Sequence, residues 1–185
     1  IIPFDNKGAQ EDVFYAYGIS ADLISSVTSA GLIRVASLKD IEKLDYQNLE
    51  SAEISRIVFI RYIANGTLWK MGDMFQLSIE LYDTKEARVI WSDRWQENWD
   101  NLPSIKSNLS DGLLKALNAK PSYEENKEIV NPEAYEYYLK AEHKFQKRQT
   151  ADDIELAMGL SQKAVDIDEN FLEAKLQLAK IIYSK

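Results

Sequence analysis

The sequence has 185 residues, of which 45% are apolar and 28% charged, with 30 acidic against 22 basic side chains and a net charge of −8. That charge repels phosphate backbones and anionic lipid, which argues against nucleic acid or a membrane surface as a partner of this segment. Cysteine is absent, excluding disulfides and thiolate chemistry, and no apolar run approaches the roughly 18 residues that a bilayer span requires.

Ile1 to Phe4 form a short apolar run ended by the turn formers Asp5, Asn6 and Gly8, and Pro3 suits an edge or a strand start. From Asp12 onward Phe14, Ile19, Leu23, Ile24 and Val27 recur at helical spacing as far as Gly31, a natural C-cap. Leu32 to Ala36 reads as a second strand, residues 39–44 as a helical turn, and residues 51–57 as another helix. Three consecutive strands are expected between Arg61 and Glu97. Phe75, Leu77, Ile79 and Leu81 alternate with Gln76, Ser78 and Glu80, which puts one face on a core and the other toward water. Turns at residues 71–74 and 84–87 make these strands an antiparallel meander, with Val89, Trp91 and Trp95 expected on one face of the last. Pro103 suits the first turn of a helix whose buried stripe is Ile105, Leu109, Leu113 and Leu117, and Pro121 closes the domain.

Residues 121–130 are mostly polar and charged and read as a linker between a domain at 1–120 and helices at 131–185. Asn131-Pro132-Glu133 opens a helix with Ala134, Tyr137, Tyr138, Ala141 and Phe145 inward. Thr150 caps a second helix, and a third starts near Phe171. Small residues at Ala157, Ala164, Ala174 and Ala179 allow close helix approach. Because the chain opens in a strand and closes in the apolar stripe Ile181-Ile182-Tyr183, it is expected to be a piece of a longer polypeptide.

The run Ala157-Met158-Gly159-Leu160-Ser161-Gln162-Lys163-Ala164-Val165-Asp166-Ile167-Asp168 resembles the second helix and following turn of a tetratricopeptide (TPR) repeat. Leu178 and Ala179 fall where the next repeat has its Leu and small residue, whereas Ser161, Glu169 and Lys175 depart from the pattern. The first 120 residues resemble the TolB N-terminal-like domain of bacterial signalling proteins. The likeness is carried by Ile2-Pro3-Phe4-Asp5-Asn6, Tyr17-Gly18-Ile19-Ser20-Ala21-Asp22-Leu23-Ile24, Tyr62-Ile63-Ala64-Asn65-Gly66-Thr67-Leu68-Trp69, Leu77-Ser78-Ile79-Glu80-Leu81-Tyr82-Asp83 and Ile90-Trp91-Ser92-Asp93-Arg94-Trp95. Asn131-Pro132-Glu133-Ala134-Tyr135 and Tyr138-Leu139 match the point where such proteins enter their TPR tail.

The resemblance implies an α/β (α+β) fold: a mixed sheet of about five strands including the three-strand meander, packed by helices and followed by an all-α TPR-like segment. It also implies the C-terminal regulatory half of a bacterial adenylate or guanylate cyclase. In that case the catalytic domain precedes this module, often with a transmembrane helix between, on either side of the membrane. The sensory module of a winged-helix transcription activator or of a Ser/Thr kinase is the rival reading. Partners implied are a protein or peptide in a TPR groove, the upstream catalytic domain, and a second copy of the chain as a homodimer.

The residues point to no catalytic, metal or cofactor site. His143 is the only histidine and is expected to be a solvated helix residue between Glu142 and Lys144. Asp166-Ile167-Asp168 imitates a calcium loop, but Phe171 stands where Gly is needed and Gln177 where the bidentate Glu belongs. No glycine opens a phosphate-binding loop. Trp69, Trp91, Trp95 and Trp99, with Tyr135 and Tyr138, form the candidate interaction surface. Packing beneath helices is the plain alternative for all six.

Overall fold

In the computed structural model, residues 1–31, 33–119 and 130–184 are described. The period-two alternation around Phe75 organises the sheet. β2 (Tyr62–Met71), β3 (Met74–Asp83) and β4 (Arg88–Asn98) form the antiparallel meander, with Phe75, Leu77, Ile79 and Leu81 all buried. Gly72 takes φ +59° in the two-residue turn between β2 and β3, a conformation that needs no Cβ. At the other turn Asp83 accepts from the backbone N–H groups of Lys85 and Glu86 while Arg61 grips its carboxylate at 2.6 Å. Those donors, led by the guanidinium, hold the Asp83 carboxyl down at about 2.

A short edge strand, β1 (Asp5–Asn6), joins β2 in parallel, Asp5 opposite Thr67 and Asn6 opposite Leu68. The ladder lies just after the expected run Ile1 to Phe4 because Pro3 has no N–H and the Phe4 N–H donates to the Ser20 hydroxyl at 2.8 Å. The described sheet has four strands in the order β1-β2-β3-β4, where about five were expected. Residues 33–36 form no ladder. Instead Arg34 donates to the carbonyls of Val58 and Phe59, closing the end of a helix; Leu32 lies outside the described residues. A bulge corrects a second expectation. Leu81 pairs with Trp91 but Tyr82 with Val89, so Ile90 is an extra residue and Val89 faces away from Trp91 and Trp95.

Seven helices are described: α1 (Val13–Ser29), α2 (Leu38–Glu42), α3 (Ser51–Val58), α4 (Leu102–Ala116), α5 (Pro132–Gln146), α6 (Ala151–Ile167) and α7 (Leu172–Tyr183). Their starts follow local chemistry. Ser37 caps α2, a Glu50/Glu53 box caps α3, Asn131 accepts from two N–H groups of α5, and Thr150 with Asp153 boxes α6. Helices α1 and α4 carry Tyr15, Ile19, Leu23, Ile105 and Leu109 into one core with the buried sheet residues. Helix α5 crosses α1 so closely that a Cβ at Gly18 would lie 2.8 Å from Leu139 Cδ2. Tyr135, Tyr138, Leu139 and, from α6 and the α7 entry, Ala164 and Phe171 therefore join the same core. Phe145, Ala157 and Ile181 make a smaller cluster within α5–α7. Pro121 and nearly all of the expected linker lie outside the described residues.

Candidate functional site

The four tryptophans do not converge on one surface. Trp91 and Trp95 pair with Leu81 and Leu77, which places them on the helix side of the sheet, their rings 6.3 Å apart and partly buried. Gly112 of α4 makes room for Trp91, since a Cβ there would come within 2.6 Å of its Cζ2 atom. Trp99 follows β4 in a 3₁₀ turn, and its indole N–H donates to Glu136 at 3.0 Å. Trp69 pairs with Gln76 on the opposite face, on a strand separated from β4 by β3, and is 45% exposed.

Tyr135 and Tyr138 are buried rather than presented to a partner. Successive turns of α5 aim their hydroxyls at one carboxylate: Tyr135 donates to Asp22 Oδ2 at 2.8 Å and Tyr138 to Oδ1 at 3.2 Å. Asp22, on α1, is only 3% exposed. Lys106 of α4 brings its ammonium 3.5 Å from Asp22 and 2.9 Å from Glu173 of α7. Burial raises the Asp22 carboxyl above its ordinary range against the opposing pull of Lys106 and Tyr135, and burial pushes both phenols well up. One acid thus binds α1, α4 and α5 together, with α7 joined through Lys106. The sequence did hold a signal for it. Asp22 falls three residues after Ile19 and just before Leu23, inside the apolar stripe of α1, where a charge needs a partner.

His143 is half-buried, not solvated. Its ring meets Tyr17 edge-on with centroids 5.2 Å apart, and Lys147 lies over the same tyrosine while pairing with Glu42. Burial, then Lys147 and Lys144, lower its pKa below the ordinary histidine value. Among the described residues no cluster of His, Asp and Glu is arranged to hold a metal ion, and no helix is long and apolar enough to cross a membrane.

The face of the sheet away from α1 and α4 is a groove of about 1010 Å³. Helix α3 packs on β2 at one end of it, where Ile54 and Ile63 are buried, and the segment from Tyr46 to Leu49 forms a wall. Strand register orders its floor into rows: Asp5, Thr67, Ser78 and Arg94 lie abreast, then Asn65, Glu80 and Ser92; Trp69, Gln76 and Gln96 form a further row on the same face of the sheet, beyond the residues that line the groove. Thr67 and Ser78 share a hydrogen bond of 2.7 Å. Among the described residues, the side chains of Asn65, Gln76, Glu80, Ser92, Arg94 and Gln96 make no hydrogen bond or ion pair within the protein. The signal for this face was the polar half of the β3 alternation, Gln76, Ser78 and Glu80.

No protein-family model matches the sequence, and no curated protein matches it. Solved structures do. TolB from Acinetobacter baumannii superposes over 66% of this chain and 28% of its own, with 18% identity and a TM-score of 0.51. Lipoprotein GNA1162 from Neisseria meningitidis matches over 62% of this chain and 95% of its own, with 14% identity and a TM-score of 0.45. A PelC dodecamer from Paraburkholderia phytofirmans matches over 64% of this chain and 85% of its own, at 18% identity and 0.43. This chain thus spans little more than a quarter of the TolB chain it resembles. A mixed α+β architecture with a four-stranded sheet and a TolB-like fold is what these findings establish.

Proposed function

We propose that this chain is a non-catalytic regulatory and protein-interaction module of a bacterial adenylate or guanylate cyclase signalling protein. Its TolB-like part would be the platform and its C-terminal helices the start of a TPR-like array. The cyclase context rests on the resemblance of the residue blocks quoted above. The interaction role rests on one observation, that α7 is amphipathic twice over. Ala174, Gln177 and Ile181 are buried against the preceding helices, while Leu172, Leu176 and Tyr183 fall on a second stripe that is exposed. A helix apolar on two sides is made to be sandwiched, as in stacked helical repeats. The pairing of α5 with α6 and of α6 with α7 in sequence order is consistent with such an array.

The test uses the longer protein that carries the cyclase domain. Leu172→Glu with Leu176→Glu should abolish the response of cyclic-nucleotide formation to its regulator and leave the basal rate unchanged. Cyclic AMP or cyclic GMP formed by the purified 185-residue chain from ATP or GTP would overturn the non-catalytic reading. An unaltered regulated rate in the double variant would overturn the role given to α7.

A further inference from the structure

We infer that the outer edge of β4 is a docking strand for an extended partner segment in which apolar and basic side chains alternate. The inference rests neither on the cyclase reading nor on α7, because the edge belongs to the sheet and its occupancy is measured on the chain alone. Among the described residues the sheet ends at β4, so this proline-free strand of 11 residues is laddered on one side only. Which of its groups are free follows from the register. Trp99 donates its N–H to the Asp73 carbonyl at 2.7 Å, in step with the pairs Glu97 to Phe75, Trp95 to Leu77 and Asp93 to Ile79, so the odd-numbered residues here bond to β3. The Arg94 N–H points the other way and donates to the Asp93 carboxylate at 2.7 Å. Ser92, Arg94 and Gln96 therefore turn their N–H and C=O groups outward, which is the template that strand addition uses.

The side chains beside those groups select the partner. On the helix side of the sheet Trp91, Asp93, Trp95 and Glu97 follow at alternate positions, so the edge reads aromatic, acidic, aromatic, acidic. An added strand sets its own alternate residues directly beside them, where opposite charges and aromatic–aliphatic contacts are the favourable cross-strand pairs. Both indoles are only partly buried, which leaves ring surface for an apolar side chain to cover. The segment that fits is therefore apolar, basic, apolar, basic on that face. A basic residue set beside Asp93 also competes for its carboxylate and releases the Arg94 N–H to the incoming strand, whereas a neutral or acidic strand leaves that donor capped. The groove next to this edge carries Asp5 and Glu80, and the chain has a net charge of −8, so a cationic segment is drawn in before it docks. A second copy of β4 fits badly. In antiparallel pairing about a two-fold axis, Trp91 against Trp95 sets Asp93 against its own counterpart, and Trp95 against its counterpart sets Asp93 against Glu97. Pairing Trp91 with its counterpart runs into the bulge at Ile90.

The test is ¹⁵N–¹H NMR of the chain with the peptide acetyl-Thr-Val-Thr-Lys-Thr-Val-Thr-Lys-Thr-amide and with the same peptide carrying Glu in place of Lys. The Lys peptide should shift the amides of Ser92, Arg94 and Gln96, slow their hydrogen exchange, and bind about fivefold more tightly than the Glu peptide. Asp93→Lys should erase that preference without lowering Tm. Two further peptides, N-methylated at the threonines or at the valines and lysines, test the main-chain bonds: one of them should fail to bind, and which one fails reports whether the segment docks antiparallel or parallel. The inference is overturned if the edge amides do not respond, if the Lys and Glu peptides bind alike, or if both methylated peptides bind as well as the parent. Protection of these amides that grows with the concentration of the chain alone would assign the edge to a second copy and overturn it as well.

Discussion

Replacing Asp22 by alanine tests the buried junction most directly. The substitution removes the acceptor of two enclosed phenols and the partner of Lys106 in one step. A buried hydroxyl left without a partner costs about 1–3 kcal/mol, and breaking a buried ion pair from one side costs about 3–5 kcal/mol. These terms overlap, because Lys106 keeps Glu173 at 2.9 Å. A loss of about 3–5 kcal/mol is expected, a large part of the roughly 5–15 kcal/mol that holds a domain folded. Asp22→Asn keeps one carbonyl acceptor and removes the cost of burying a charge, so it should lose only about 1 kcal/mol. Urea unfolding followed by circular dichroism gives both values, and hydrogen exchange should show protection falling in α5 before it falls in β3. Acid adds a signed check. Burial raises the folded Asp22 pKa above its ordinary 3.8, so the folded state binds that proton more tightly than the unfolded one. The stability of the wild type relative to Asp22→Asn should fall as pH rises from about 3.8 through the folded value, and stay level above it. An alanine variant within 1 kcal/mol of wild type, with α5 protection intact, would refute the account.

Gly18→Ala would place a Cβ 2.8 Å from Leu139 Cδ2 and 3.2 Å from its Cα, so α1 and α5 must part. The overpacking cost of about 1–3 kcal/mol outweighs the helix-propensity gain of about 1 kcal/mol; a lowered Tm is expected, and a raised one would contradict the close crossing. His143 should titrate below 6.5 when its ring carbons are followed by NMR. The unfolded chain takes up that proton first, so stability should decline as pH falls from 6.5 to the folded value. Titration at or above 6.5 would place the ring in solvent after all.

The sheet was legible because its signals are local. The β3 alternation, the Gly72 turn, the Asn131 cap and the Thr150 box each depend on neighbours within four residues, and each lies where the pattern put it. What escaped depends on registration across the chain. A single inserted residue at Ile90 reverses Val89, and nothing within the run Val89-Ile90-Trp91 announces it. Spacing alone grouped Trp69 with Trp91 and Trp95, although the phase of β2 against β3 sends it to the other face. Tyr135 and Tyr138 were located as residues but not as donors, since their acceptor stands more than a hundred positions earlier, at Asp22.

The crossing at Gly18 has a consequence for how such chains are cut and recombined. Severed before Asn131, the TolB-like part would turn its α5 seat into bare surface, with the backbone at Gly18 uncovered and the Asp22 carboxylate deprived of both tyrosines. The fragment would be prone to self-association and soluble mainly where the carboxylate is fully hydrated and charged. In this chain the sheet, its packed helices and α5 therefore behave as one folding unit, longer than the TolB-like part alone.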